Sequence, residues 1–431
     1  MSSGTWRNWA RTEHASPARV LTPQSVEEVS AAVLQAAADG MALRAGGTGH
    51  SFTPLVATDG VLLRPEGLTG LLRVQGATAT VAAGTMLHDV NLALHDRGLA
   101  LANMGDITVQ TVAGAIATGT HGTGRDSASL SAQVAGLQVV LADGSVVTCS
   151  RTREPELFEA ARLGLGAVGV ITEVTFDVVP SFLLHAVEEP RRLDDMLEAF
   201  DDLAKTNDHV EFFWFPHTDR TLTKRNNRVA PDVAPAPLGR LRAWRDDELL
   251  SNSVFGLVCR AGRAAPRLVP VINQVSGRAL GRRVYVDTSF RVFASSRRVR
   301  FTEQEYAVPR AALVPLLTEL RELVDRFQVS FPVEVRIAPA DDVWLSPAYG
   351  RDTAWVAVHM FEHVRYAAYF GAVEERALAV GGRPHWGKLH TRDAAWCARE
   401  LPGFARFCAV RDRVDPGRLF ANDHLRHVLG E

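Results

Sequence analysis

The sequence predicts an α+β protein built as more than one unit, and three observations lead there. The chain has 431 residues, too many for one ordinary core. Residues 1–178 mix short β-rich runs, amphipathic helices and glycine turns. From Ser181 onward the texture changes to long helices and longer alternating runs.

The elements follow in order. "ARVLTP" reads as a short strand, and "QSVEEVSAAVLQAAADG" as a helix: Ser25 and Glu28 have capping-box spacing, Val26, Val29 and Val33 share a face, and Gly40 ends it. "MALRAG" is a strand running into a glycine cluster, and "GVLLR", "GLLRVQG" and "TATVAAG" are further short strands. "TMLHDVNLALHDRGLA" is a second amphipathic helix. "AGLQVVLADGSVVTCS" is a hairpin turning at Asp143-Gly144, and "GVITEVTFDVVP" a strand stopped by Pro180. In the second part, "RRLDDMLEAFDDLAKT", "RAALVPLLTELRELVDRF" and "RYAAYFGAVEERALAVGG" are helices. "HVEFFWFPHT", "VEVRIAPA" and "TAWVAVHMFEH" are strands, and "APDVAPAPLG" is a loop.

Composition narrows the class. Hydrophobic residues at 46% and charged residues at 22% are the balance of a globular protein. A net charge of -2 gives no global field for nucleic acid or an anionic membrane. The basic run "SSRRVRF" (295–301) reads as a solvated edge or loop in preference to an anion site. Cys149, Cys259, Cys397 and Cys408 are far apart and read as reduced structural thiols. Nothing at the N-terminus resembles a secretory signal and no apolar run has membrane-spanning length, so a cytoplasmic protein is expected.

Three glycine-rich stretches carry the chemistry. "LRAGGTGHSFTP" (43–54) matches neither the dinucleotide fingerprint nor the phosphate loop of nucleotide hydrolases. Its glycines suit either a tight turn or a nest of backbone N–H groups around a pyrophosphate. "DITVQTVAGAIATGTHGTGRD" (106–126) and "GLGAVGVITEV" (164–174) are also small and glycine-rich, which favours a flat ligand with phosphates at one end. Further along, "FPVEVRIAPADD" puts Glu334 and Arg336 on one face of a strand, as a surface ion pair or a substrate clamp. His359 lies in an apolar strand, where a satisfied core histidine is the default. "GGRPHWGKLHT" gathers His385, Lys388 and His390, but the spacing gives no metal set.

Together "RAGGTGHSFTP", "VAGAIATGTHGTG" and "AVGVITEVTF" resemble the FAD-binding domain of the vanillyl-alcohol-oxidase superfamily, in its aldonolactone-oxidoreductase branch. The E-x-R pair, the strand histidine, "HWGK" and the ending "RVDPGRLFANDHLRHVLG" resemble the same branch, so the likeness covers nearly the whole chain. It implies an FAD domain (1–178), a cap with an antiparallel sheet and helices (179–390), and a C-terminal segment (391–431) packing back on the FAD domain. By the resemblance, His50 is bonded covalently to FAD. Arg44, Ala45, Gly46, Gly47, Thr48, Gly49, Ser51, Gly114, Thr118, Gly119, His121, Gly122, Gly124, Gly169, Val170, Ile171, His385 and Lys388 bind the cofactor. Glu334, Arg336, Lys388 and His359 face the substrate. The implied activity is oxidation of an aldono-1,4-lactone to a ketolactone by hydride transfer to the flavin, with dioxygen as acceptor. Alditol oxidation at C1, or a quinone or cytochrome acceptor, is the alternative. A non-catalytic flavin- or sugar-binding protein is disfavoured by the intact Glu334, Arg336 and Lys388.

Overall fold

The computed structural model describes residues 5–295 and 297–431. A small parallel sheet opens the fold, in the order Arg19–Leu21, Val61–Leu63, Leu43–Ala45. The helix Val26–Ala38 packs on it through Val29 and Val33. Ser25 caps that helix by accepting the Glu28 N–H, and Gly40 ends it at φ +64°, a left-handed conformation that glycine adopts without strain. Beside it lies a five-stranded antiparallel sheet, ordered Val146–Ser150, Val134–Val140, Val170–Asp177, Thr78–Ala82, Leu71–Gln75.

An eight-stranded antiparallel sheet follows, running from Arg283–Thr288 at one edge to Arg383–Pro384 at the other. Its central strands are His209–Trp214, Val333–Ala338, Thr353–Phe361 and Phe301–Pro309. Side chains alternate across a pleated strand. Val333, Val335 and Ile337, with Val356, Val358 and Tyr306, therefore pack against the helices Leu193–Thr206, Leu313–Val324 and Ala367–Ala379. The alternate positions Glu211, Glu303, Glu305, Glu334, Arg336 and His359 form the opposite face, and all six are buried.

The C-terminal helices Ala394–Glu400, Phe404–Val414 and Asp423–Leu429 join the core of the first unit through Trp396, Phe407 and Leu425. Two polar side chains fix this return. Arg44 gives its guanidinium hydrogens to the carbonyls of Leu55, Leu165, Gly166 and Phe420 at 2.5–2.9 Å. Asn422 donates to the carbonyls of Pro54 and Ala57 at 2.9 and 2.8 Å. All four cysteines are free, and burial pushes the thiols of Cys149, Cys259 and Cys397 up to about 12. No helix among the described residues is long and apolar enough to cross a membrane.

One region carries no element expected from the sequence. Residues 240–278 form a helical excursion: Arg240–Ala243, a π-helical stretch Trp244–Val254, then Phe255–Ala264 and Val269–Arg278. Its buried positions are Asn252, Gly256, Cys259, Gly262, Val269, Asn273 and Gly277, with Val269 the one large apolar side chain, so hydrophobic periodicity gave little signal there.

Candidate active site

The glycine cluster forms one wall of a long cleft. Gly46 closes the strand by donating its N–H to Leu63. The next five backbone N–H groups, Gly47 to Ser51, have no protein acceptor among the described residues. All five residues line the cleft. A run of unpaired N–H groups converging on one space is a nest for a phosphate or pyrophosphate. Gly47 must be glycine for space, since a Cβ there would lie 2.2 Å from Thr111 Oγ1. Gly49 must be glycine for conformation, at φ +75°. Arg44, Ala45, Gly114, Thr118, Gly169, Val170 and Ile171 line the same cleft.

His50 stands at the end of this nest with Trp9 stacked on its ring, 5.5 Å between centroids. Burial, reinforced by the charge of Lys388, pushes its imidazolium down to about 4. The ring is therefore neutral near pH 7 and keeps a free nitrogen lone pair.

The loop after His50 docks directly on "HWGK". Phe52 donates its N–H to the Gly387 carbonyl at 2.7 Å, and Thr53 its hydroxyl to the Trp386 carbonyl at 3.0 Å. Trp386 is anchored in turn by its indole N–H on Leu345, 2.7 Å away. Lys388 consequently sits over the Phe52 ring at 5.2 Å and is paired with Glu303. Glu303 also faces His359 Nε2 at 3.5 Å, while His359 Nδ1 bonds the Pro332 carbonyl.

Beside this triad lies a larger charged cluster on the same sheet face. Arg336 pairs with Glu334, with Asp106 at 3.3 Å and with Glu211 at 3.0 Å. Arg297 pairs with Asp106 and reaches Glu334 at 3.6 Å, and Lys224 holds Glu211 at 3.2 Å. The basic run "SSRRVRF" is thus not a solvated edge at Arg297, whose guanidinium enters the site; Ser296 lies outside the described residues.

The electrostatics separate these carboxylates. Burial would raise Asp106, but Arg297 and Arg336 outweigh it and hold the group below the usual carboxylate range. Lys388 and His359 do the same for Glu303, which lies well below it. For Glu334 burial wins over Arg336 and Arg297, with Asp106 and Glu211 adding repulsion, so this carboxyl is raised. Arg336 is held well above its ordinary value by Glu334, Asp106 and Glu211 against the cost of burial. The result is a fixed cation beside a carboxyl readier than its neighbours to take a proton.

Six of the residues expected at the cofactor lie off the cleft wall: Gly119, His121, Gly122, Gly124, His385 and Lys388. Gly122 is required by the protein's own packing, because a Cβ would lie 2.2 Å from the Met104 carbonyl oxygen. His121 stacks on Trp355 at 3.8 Å and faces Glu305 at 3.3 Å. His385, which the sequence set beside His390, lies instead with His121 and Glu305, close enough for a shared ion. Each already has a protein partner, since His385 Nδ1 accepts the Gly387 N–H and His121 Nδ1 meets the Gly122 carbonyl. Four carboxylates of this region, Asp106, Glu211, Glu303 and Glu305, went unnamed in the sequence. The alternation Phe301-x-Glu303-x-Glu305 was the available signal for two of them.

Comparison with known proteins joins this geometry to a family. A model described as D-arabinono-1,4-lactone oxidase matches residues 174–428, and one described as FAD binding domain matches residues 17–150. The chain belongs to the D-arabinono-1,4-lactone oxidase family. It is 41% identical to a protein of Mycobacterium tuberculosis named L-gulono-1,4-lactone dehydrogenase, over 99% of this chain and 100% of that one. It is 32% identical to a Bos taurus protein named L-gulonolactone oxidase, and 31% identical to a Streptomyces alditol oxidase, in both cases over 98% of each chain. Among solved structures, cholesterol oxidase from Brevibacterium sterolicum superposes with a TM-score of 0.83 at 19% identity, over 99% of this chain and 96% of that one. That likeness shows the fold alone; the two family models and these relatives place the chain among flavoproteins of the vanillyl-alcohol-oxidase type. The chain is an FAD-dependent oxidoreductase, and the unpaired N–H groups of residues 47–51 suit the pyrophosphate of that cofactor.

Proposed function

We propose that the protein oxidises an aldono-1,4-lactone of the gulono or arabinono type at C2, giving a 2-ketolactone that enolises to an ascorbate-type product. The observation that carries this reading is the docking of the Lys388 loop on the His50 loop, beside the buried Glu334–Arg336 pair. The relatives whose names specify gulonolactone and arabinonolactone support the substrate class. FAD, when bound, supplies the acceptor for the hydride leaving the substrate carbon. The nest of residues 47–51 holds its pyrophosphate, and the neutral His50 nitrogen is the point of covalent attachment.

The side chains divide the remaining work. Arg336, clamped by three carboxylates, orients substrate oxygens and stabilises negative charge. Glu334, with its raised pKa, takes the hydroxyl proton. Lys388, fixed by Glu303, hydrogen-bonds the reacting oxygen. His359 holds Glu303 from behind, and the rings of Trp9, Phe52 and Phe301 exclude water beside His50.

Anaerobic bleaching of the flavin absorbance tests the substrate class. Gulono-, arabinono- or galactono-1,4-lactone is expected to bleach it, and xylitol and sorbitol to do so far more slowly. Bleaching by the alditols alone would move the protein to alditol oxidation, and no bleaching by any of them would sink the reading. For the acceptor we propose dioxygen. One peroxide formed per lactone consumed supports it, and turnover only with an added dye overturns it.

A further inference from the structure

We propose that Arg297 binds the C1 carbonyl oxygen of the substrate and so selects lactones over open-chain alditols. The assignment rests on the C2 oxidation proposed above. Two guanidinium groups flank the Glu334 carboxyl: Arg336 pairs with one oxygen, and Arg297 lies 3.6 Å from the other. A lactone oxidised at C2 has an oxygen on each carbon beside the reacting one, the C1 carbonyl and the C3 hydroxyl. An alditol oxidised at its terminal carbon has a neighbouring oxygen on one side only. A proton-accepting carboxyl with a cation on either side fits the first pattern and leaves one cation idle in the second.

Donor chemistry decides which arginine takes which oxygen. Arg336 lies among Glu211, Asp106 and Glu334, so a substrate oxygen there meets both N–H donors and carboxylate acceptors, the surroundings a hydroxyl needs. Arg297 differs. Its contacts to Asp106 and Glu334 both run through Nη2, which leaves Nε–H and the Nη1 hydrogens without a hydrogen-bond acceptor among the described residues. Its side chain is 26% exposed, more than that of Asp106, Glu211, Lys224, Glu334 or Arg336. A face that only donates suits a carbonyl, which only accepts.

Charge and anchoring agree. With Glu334 protonated, Lys224, Arg297 and Arg336 face two carboxylates, Asp106 and Glu211, so one cation is left for an electron-rich oxygen. The backbone on either side of Arg297 is tied down. Ser295 donates its N–H to the Asp106 carbonyl at 2.9 Å, and Arg298 its N–H to Asn252 Oδ1 at 2.7 Å. The guanidinium is therefore placed before substrate arrives.

A matched pair of compounds tests this on the holoenzyme: gulono-1,4-lactone and the 1,4-anhydroalditol of the same configuration, in which CH2 replaces the carbonyl. Anaerobic flavin reduction gives a second-order rate constant for each, and their intrinsic difference in reactivity cancels when variants are compared. Arg297→Gln should lower the lactone constant by roughly 10²-fold and the anhydroalditol constant by less than about threefold. Arg297→Lys keeps a charge beside Asp106 but loses the fork. It should narrow the preference for the lactone by about tenfold, and it carries the test if the glutamine variant fails to hold flavin. An anhydroalditol too slow to reduce the wild type is read by competition against the lactone, and its inhibition constant should not change in either variant. Equal losses for both compounds would make Arg297 a support for Asp106 alone and overturn the assignment, as would an unchanged lactone constant. A wild type that no lactone reduces would instead fail the C2 reading itself, and this assignment with it.

Discussion

The Phe52 N–H and the Gly387 carbonyl are 2.7 Å apart, and this bond joins the loop that carries His50 to the loop that carries Lys388. The two loops are over three hundred residues apart in the chain, so the spacing between cofactor and substrate groups depends on how well they seat. Gly387 has little room to grow, since a Cβ would lie 3.3 Å from both Ser51 Oγ and His385 Cε1. Gly387→Val should therefore push the loops apart. We expect retained flavin and a kcat/KM lower by roughly 10²-fold, the usual penalty for misplacing a reacting group. Flavin content and steady-state kinetics on one preparation check both halves.

His50 gives the second prediction. A denatured wild-type sample should show a flavin-fluorescent protein band under ultraviolet light, and His50→Ala should lose that band while still binding FAD in the nest. Complete release of wild-type flavin by acid would show that no bond exists.

The contrast between these two residues explains what was legible in the sequence. His50 could be singled out because its neighbours are glycines, whose spacing is local and visible. Gly387 could not, because its role is to face Ser51 and Phe52 from more than three hundred residues away along the chain. Likewise Val333, Val335 and Ile337 announced a strand by their alternation. The alternate positions Glu334 and Arg336 read equally well as a solvated face, and only the first unit lying over that face makes them buried. Arg297 was missed for the same reason, since its partner Asp106 is nearly two hundred residues upstream. The excursion 240–278 stayed hidden because many of its large apolar side chains are exposed, while its buried positions, Val269 apart, are glycine, cysteine and asparagine.

Lys388 and Glu303 give a stability prediction separable from activity. Lys388→Met leaves Glu303 buried opposite His359 without its main partner, which should cost about 3–5 kcal/mol. Adding Glu303→Gln removes the stranded charge and should restore most of that stability. Activity should not return, because the group that bonds the reacting oxygen is still gone. Urea denaturation and turnover of the single and double variants distinguish the two effects. Recovery of turnover in the double variant would remove Lys388 from the chemistry.

Asp106 gives a pH prediction whose sign follows from its partners. Its ordinary pKa of 3.8 is lowered in the folded protein, where Arg297 and Arg336 outweigh burial. A lowered carboxylate binds fewer protons folded than unfolded below about pH 5, so it stabilises the fold at neutral pH. That contribution is full above the unfolded pKa and drains away as pH falls through the folded one. The limiting slope is one proton, about 1.4 kcal/mol per pH unit. Asp106→Asn should be less stable than wild type at pH 7, because both arginines lose a charged partner. Its acid limb should be shallower, so the two curves converge toward pH 3, where the carboxyl of the unfolded wild-type chain takes up its proton while the folded one does not. Melting temperatures from pH 7 to pH 3 measure this. A constant offset across the range would mean that Asp106 titrates as an ordinary carboxylate and that the cluster is not held by its charge.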